Sequence, residues 1–239
     1  MTHVKLCGFQ TAEAAIAAVD AGADSIGLVF VPSARRCLSL EGAEELLAAV
    51  RAHAPDRMPE IVGLFADQPE DDVNRYVERL GLGAVQLCGS EGVGYAKALR
   101  VPVYKVIAID PEVPIGAQMP KIMLLQQRHT MAGHRIVVDT LVAGEYGGTG
   151  QRFDWELAGE LARTFEMNLA GGLTPENVGE AVRRVKPWGV DASSGVETDG
   201  EKDPEKVRRF VRAVREADEA SAPRGLRRLL SPRRLLRRR

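Results

Sequence analysis

The chain has 239 residues, 45% of them hydrophobic and 27% charged, with a formal net charge of −1. This length and composition fit one large globular domain, and no apolar run reaches the roughly 18 residues that a membrane-spanning helix needs. The N-terminus lacks the basic patch and apolar stretch of a secretory signal, so we expect a cytoplasmic protein. Three cysteines without CxxC spacing predict free thiols rather than disulfides or a zinc site.

Short Val/Ile/Leu-rich runs alternate with longer stretches of helical period along the chain. The runs predict eight strands, at about residues 3–6, 25–30, 60–66, 83–87, 103–109, 135–139, 166–170 and 188–191. Helix starts are predicted at Thr11, Ser39, Pro69 and Thr174. Prolines and glycines between residues 111 and 133 predict that no long helix forms there. Eight βα units favour an α/β fold of the single-domain (β/α)8 TIM-barrel type over an open doubly wound sheet.

Two of the predicted strands end in a side chain that can transfer a proton. Cys7 ends the first strand and Asp139 the sixth, and the active site of a parallel barrel lies at these carboxyl ends. As an acid near neutral pH, Asp139 would need a pKa well above the ordinary value of about 3.9. As a base, Cys7 would need a lowered pKa or deprotonation on substrate binding, and Lys5 shares its strand parity. Taken alone, a cysteine at a strand end is more often a small buried side chain than a base, and Asp139 could equally be a turn cap.

The loops after the last two strands have the composition of a phosphate site. Gly171 and Gly172 follow the seventh strand, and Ser193, Ser194 and Gly195 follow the eighth. Glycine lets the backbone approach an anion closely, and amides at the start of a short helix attract it. These loops predict a phosphorylated small-molecule substrate, although the glycines could also serve only the turn. The glycines at 147–150 lack the lysine of a nucleotide loop.

Seven motifs in register resemble the phosphoribosylanthranilate isomerase family over residues 3 to about 216. They are KLCG (5–8), GLVF (27–30) with Pro32 and Arg36, QLCG (86–89), VDT (138–140), GGTG (147–150) with FDW (153–155), LAGGL (169–173) and VDASSGVE (190–197). The resemblance implies an Amadori rearrangement of N-(5-phosphoribosyl)anthranilate to 1-(2-carboxyphenylamino)-1-deoxyribulose 5-phosphate, the third step from chorismate to tryptophan. It implies no metal and no organic cofactor.

The resemblance also assigns roles to single residues. It implies that Asp139 is the general acid at the ring oxygen and Cys7 the general base at C2. It places Arg36 at the anthranilate carboxylate, which a guanidinium binds well, and Asp191 near the amine or a sugar hydroxyl. Alone, Arg36 would most often be a solvated surface charge.

Three positions depart from the family pattern. The family usually has histidine at Cys88, often lysine at Gln151 and often an aromatic residue at Cys37. None of them is one of the two proton carriers, so these departures put the fine positioning of the substrate in doubt, not the type of reaction. We expect Cys37 to bring a second thiol close to the site.

The last residues differ in composition from the rest. We expect a barrel at residues 1–219 and an Arg-rich tail at 220–239, where eight arginines and no acids follow Ala222. We expect the tail to be a disordered extension whose removal leaves turnover intact. A basic segment for membranes or nucleic acid, or one that folds back on the acidic barrel, stays open. We expect no membrane or specific nucleic-acid partner, and a monomer or homodimer.

Two other functions compete with the isomerase. One is another phosphate-binding barrel enzyme, such as a sugar-phosphate epimerase or the histidine-pathway isomerase, although the strand ends lack the histidines that a metal epimerase needs. The other is a non-catalytic protein that binds phosphosugars, or nucleic acid through its tail. It would show salt-sensitive binding and no turnover.

Overall fold

The computed structural model describes residues 1–110, 112–140 and 155–221, apart from the side chain of Thr140. Its main feature is a closed barrel of parallel strands in sequence order, in which the last strand pairs with the first. The strands are β1 His3–Cys7, β2 Ser25–Val29, β3 Glu60–Phe65, β4 Ala84–Leu87, β5 Val103–Ile109, β6 Arg135–Thr140, β7 Met167–Leu169 and β8 Gly189–Ala192. The predicted α/β barrel is confirmed.

Helices follow the strands around the outside of the barrel. They are α1 Ala12–Ala21, α2 Leu40–His53, α3 Glu70–Leu80, α4 Val93–Ala96, α5 Ile115–Met131, α6 Trp155–Thr164, α7 Val178–Val185 and α8 Pro204–Ser221. Thr11 and Ser39 cap α1 and α2 as predicted, since each side-chain oxygen accepts a hydrogen bond from a first-turn amide. After β8 come a 3₁₀ turn, Ser194–Val196, and a small hairpin of β9 Glu197–Thr198 and β10 Glu201–Lys202.

Two helix predictions differ from the structure. The expectation that no long helix forms between residues 111 and 133 is wrong, because α5 runs for 17 residues with Pro120 inside it. Pro120 lies in the second turn, where it has no N–H to donate to the Gly116 carbonyl and its ring crowds that carbonyl. In addition, α7 begins at Val178 rather than at Thr174, whose hydroxyl accepts a hydrogen bond from the Glu176 amide in a preceding turn.

The alternation of side chains along the strands separates two hydrophobic cores. Outward-facing residues pack against the helices in a large continuous core. Inward-facing residues fill the barrel itself, among them Val29, Val62, Tyr104 and Val137. Cys7 belongs to this inner group. The barrel is therefore a packed interior whose upper end carries the candidate site.

A polar and aromatic cluster fills the opposite, amino-terminal end of the barrel. The Tyr104 hydroxyl donates a 2.7 Å hydrogen bond to Glu60 Oε2 and accepts one of 2.7 Å from Arg135 Nη1. The Arg135 guanidinium also lies 4.9 Å from the centre of the Trp188 ring, which stacks on His3. These contacts join β1, β3, β5 and β6 to the start of β8 and close this end.

The helices described here include none that is both long and apolar enough to cross a lipid bilayer.

Candidate active site

Cys7 lies at the carboxyl end of β1 with its thiol directed into the barrel. It is 5% exposed and is paired in register with Gly27 of β2. A Cβ atom at Gly27 would lie 2.7 Å from Cys7 Sγ, closer than real Cβ atoms approach a neighbour. The absence of a side chain at Gly27 therefore provides the space in which the thiol lies.

The surroundings of Cys7 favour the neutral thiol. Burial raises the pKa of Cys7, while the positive charges of Lys5, Lys202 and Arg36 oppose this rise. The net direction is upward. Of the two routes by which Cys7 was expected to become a base, the structure does not support a lowered pKa.

Asp139 is half-buried at the carboxyl end of β6. It follows the inward-facing Val137 by two residues, so it lies on the same face of the strand. The amide of Ala170 donates to the Val138 carbonyl and extends the pairing of β6 and β7 to this level. Cys7 and Asp139 therefore both face the barrel interior at its upper end, with only β7 and β8 between their strands. The expected rise in the pKa of Asp139 stays a prediction.

Asp191 forms a buried ion pair with Lys5 across the junction between β8 and β1. The two residues are partners in register, and Lys5 Nζ lies 2.6 Å from Asp191 Oδ2. Burial alone would lower the pKa of Lys5, but the charge and hydrogen bond of Asp191 raise it above its ordinary value. The Oδ1 atom of Asp191 is buried and has no hydrogen-bond partner among the described residues. One oxygen thus holds Lys5, and the other is available to a ligand.

Arg36 lies beside the end of β1, in the loop that follows β2. Its Cδ atom would be 2.4 Å from a Cβ atom at Gly8, whose φ of +83° and missing side chain let the arginine pass. Its Nε and Nη2 atoms donate to the two carboxylate oxygens of Glu197, at 2.6 and 2.9 Å. Arg36 is therefore half-buried and held bidentately, not a freely solvated surface charge.

The two loops predicted to bind phosphate meet above β7 and β8. Gly171 and Gly172 have φ values of +87° and +63°, which L residues rarely adopt. A Cβ atom at Gly195 would lie 1.8 Å from the Leu173 carbonyl oxygen, so the loops touch through their backbones. The Ser193 hydroxyl donates a 3.0 Å hydrogen bond to the Cys7 carbonyl. The loops are thus fixed to each other and to the end of β1.

The atypical positions have different surroundings. Cys88 is partly buried against the inner core after β4, and burial raises its pKa to about 12. Cys37 forms a backbone bridge with Val29 at the end of β2, and its thiol donates to the Leu38 carbonyl. Whether that thiol borders the substrate stays a prediction. Gln151 and the glycines at 147–150 lie outside the described residues.

Residues 1–110, 112–140 and 155–221 contain no group of three or more His, Cys, Asp or Glu side chains that could hold a metal ion.

The sequence did not reveal two ion pairs of this site, which join Glu197 to Arg36 and to Lys202. The side chain of Lys202 on β10 is 4% exposed and donates to the Ser193 carbonyl at 3.0 Å and to Glu197 Oε1 at 2.5 Å. Glu197 was noted only as the last letter of a motif. Its place in the motif indicated that this carboxylate has a role. Its partner Arg36 lies in the loop after β2 and its partner Lys202 lies on β10, and the spacing of motifs does not show that these residues meet.

The comparisons with known proteins agree on one family. A sequence model described as N-(5'-phosphoribosyl)anthranilate isomerase matches residues 4–213. The protein of that name from Roseiflexus sp. (strain RS-1) is 44% identical over 220 residues, which cover 91% of this chain and 99% of the relative.

Solved structures of that family have the same fold. The phosphoribosyl anthranilate isomerase from Thermotoga maritima aligns with a TM-score of 0.77 at 32% identity, over 90% of this chain and 100% of that one. Another solved isomerase, in complex with reduced 1-(o-carboxyphenylamino)-1-deoxyribulose 5-phosphate, aligns with a TM-score of 0.74 at 30% identity over the same shares.

Proposed function

The chain belongs to the N-(5'-phosphoribosyl)anthranilate isomerase family, and from this premise we propose that Cys7 is the general base and Asp139 the general acid of its reaction. The reaction is the Amadori rearrangement of N-(5-phosphoribosyl)anthranilate to 1-(2-carboxyphenylamino)-1-deoxyribulose 5-phosphate, in tryptophan biosynthesis. The observation that carries the assignment is that both side chains end strands of one barrel and face its interior at the same end.

Acid catalysis begins the proposed reaction. Asp139 donates a proton to the ring oxygen of the ribose, and the bond from that oxygen to C1 breaks. The nitrogen lone pair forms the new C1–N double bond, which gives an open-chain Schiff base. The carboxyl group becomes a carboxylate, and the sugar oxygen becomes a hydroxyl group.

Base catalysis completes the proposed reaction. The thiolate of Cys7 takes the proton from C2, and the electron pair forms a C1–C2 double bond while the nitrogen regains its lone pair. The resulting enolamine tautomerises to the ketone. Burial raises the pKa of Cys7, so only a small share of the unliganded enzyme holds the thiolate at neutral pH. The productive form thus has a protonated acid and a deprotonated base, the reverse of the order in which a carboxyl and a thiol ordinarily titrate.

Four further groups complete the proposed site. Arg36 binds the anthranilate carboxylate, because Glu197 holds its guanidinium beside the end of β1 and a guanidinium binds carboxylates well. The unpartnered Oδ1 of Asp191 accepts a hydrogen bond from the amine or a sugar hydroxyl. The backbone of the loops at Gly171–Gly172 and at 193–195 binds the phosphate. The backbone contact at Gly195 supports this, since it keeps both loops at one place.

We also propose a division into a barrel, residues 1–219, and an Arg-rich tail, residues 220–239, of which only 220 and 221 are described, at the end of α8. We further propose that the protein is cytoplasmic and that it is a monomer or a homodimer. The substrate is a small phosphorylated molecule.

The test is the loss of substrate fluorescence when the purified protein meets freshly prepared phosphoribosylanthranilate, with a metal chelator present throughout. Cys7→Ser and Asp139→Asn should each lower turnover by roughly 10²-fold or more, because each removes one proton carrier. Asp71→Asn, which changes an exposed carboxylate in the first turn of α3, is the matched control and should turn over like the parent. A parent without turnover, or variants that match it, would refute the assignment.

A further inference from the structure

One carboxylate connects three cationic side chains at the edge of the site. Glu197 Oε1 accepts from Arg36 Nε at 2.6 Å and from Lys202 Nζ at 2.5 Å. Its Oε2 accepts from Arg36 Nη2 at 2.9 Å and from the exposed Arg35 Nη2 at 2.6 Å. Bonds between ionised groups are the strongest hydrogen bonds in proteins, and here four of them end on one side chain that is 6% exposed.

Glu197 remains ionised at any physiological pH. Burial alone would raise its pKa, but the hydrogen bonds from Arg36 and Lys202 hold that pKa at about 2. The carboxylate therefore carries its charge and holds Arg36 and Lys202 side by side.

The two cations that contact Glu197 Oε1 lie beside different parts of the proposed site. Arg36 passes over Gly8 beside the end of β1, where the anthranilate carboxylate is proposed to bind. Lys202 contacts the Ser193 carbonyl at 3.0 Å, in the loop proposed to bind phosphate, and its Nζ atom lies 6.0 Å from the centre of the Phe9 ring. Glu197 accepts hydrogen bonds from both of these cations.

We propose that Glu197 is a positioning residue that fixes the distance between the carboxylate-binding and the phosphate-binding ends of the site through Arg36 and Lys202. The inference rests on the proposed function for the identity of the two ends. Lys202, next to Ser193, adds positive charge at the phosphate loop and is by this argument a further phosphate-binding residue.

Glutamine at position 197 would break this arrangement without changing its size. The amide keeps one acceptor oxygen and replaces the other with an NH₂ group, which presents hydrogens to the cations that previously donated to it. In either orientation this NH₂ group faces an N–H of Arg36, together with Arg35 at one oxygen position or Lys202 at the other. The Arg36 side chain must then move, so the spacing of the two ends is lost. Aspartate keeps the charge but is one methylene shorter and cannot keep all four contacts.

The experiment measures each end of the site separately by calorimetry with the unliganded protein. Inorganic phosphate is the probe for one end and 2-aminobenzoate for the other. Glu197→Gln should raise the dissociation constants of both probes by about 10-fold or more, and it should raise KM by more than it lowers kcat. Lys202→Met should weaken phosphate binding alone. Glu201→Gln, which changes an exposed carboxylate on β10, should leave both constants unchanged.

Three outcomes would overturn the inference: unchanged binding of both probes by Glu197→Gln, weakening of only one probe, or a parent protein that binds neither. If Glu197→Gln does not fold, as judged by circular dichroism, Glu197→Asp takes its place with the same expectations. A parent that binds both probes but does not turn over phosphoribosylanthranilate would refute the proposed function, while the binding constants of the variants would still decide the role of Glu197.

Discussion

Lys5 and Asp191 are adjacent in register across the junction where the last strand of the barrel meets the first, and their side chains form a 2.6 Å ion pair. Both are buried, Lys5 completely. A buried ion pair adds little net stability compared with apolar residues, but removal of one partner leaves a charge without compensation. The pair therefore makes the junction sensitive to single substitutions.

We predict that Lys5→Met lowers the free energy of unfolding by about 3–5 kcal/mol, because Asp191 would stay buried without its cation. Chemical denaturation monitored by circular dichroism measures this loss. The double variant Lys5→Met/Asp191→Leu should recover a large part of it, since no charge is then left alone. Equal stability of Lys5→Met and the parent would show that Asp191 is solvated, contrary to its burial.

The pH dependence of kcat/KM follows from the protonation states in the proposed mechanism. The productive form has protonated Asp139 and ionised Cys7. Because a carboxyl group titrates below a thiol, the share of this form is constant between the two pKa values and falls on either side. Burial raises the pKa of Cys7 above its ordinary value, so the decline on the alkaline side should lie above the pH at which an ordinary cysteine titrates, about 8.5. The measurement is kcat/KM from pH 5 to 10.5, and a decline centred below pH 8 would contradict the raised pKa.

Gly195→Ala should impair phosphate binding, because its Cβ atom would lie 1.8 Å from the backbone oxygen of Leu173. A backbone atom cannot rotate away as a side chain can, so the two phosphate loops must separate. KM should rise, and the affinity for inorganic phosphate measured by calorimetry should fall. Gly94→Ala in α4, where a Cβ atom meets nothing within 4 Å, is the control. Unaltered phosphate affinity in Gly195→Ala would place the anion elsewhere.

Stability should fall in mild acid because of His129 on α5. It is 3% exposed, and its Nδ1 lies 2.9 Å from that of His134. Burial, together with the charges of His134 and Lys105, lowers its pKa from 6.5 to about 4. The unfolded chain therefore binds more protons between pH 6.5 and 4, and the free energy of unfolding falls as the pH falls through this window. His129→Gln should flatten that slope in urea titrations, whereas His53→Gln, an exposed control, should not.

The sequence predicted the fold well because each βα unit has a local pattern. Apolar runs identified the strands, and hydroxyl caps at Thr11 and Ser39 identified two helix starts. The prediction failed at α5, where a helix of 17 residues forms with Pro120 inside it, despite the lost hydrogen bond and the ring clash that a proline brings. Glycine and proline composition does not reveal such tolerance.

The candidate site was predictable only in part. Motif order placed Cys7, Arg36 and Asp191 at strand ends or in the following loops, as the structure has them. The partners of these residues depend on register and on long-range packing, which spacing does not determine. Thus the pairing of Lys5 with Asp191, and of Arg36 with Glu197, became visible only in three dimensions.

The closed order of the strands has a consequence for synthesis on the ribosome. Lys5 and Asp191 lie 186 positions apart, and at about 5–20 residues per second the later residue is made roughly 10–40 s after the earlier one. During that interval β1 has no β8 to pair with, and the Cys7 thiol is not yet enclosed by a finished barrel. The nascent chain thus carries a reactive sulfur and an unpaired strand edge together, which makes this interval its period of greatest exposure to oxidants and to association with other chains.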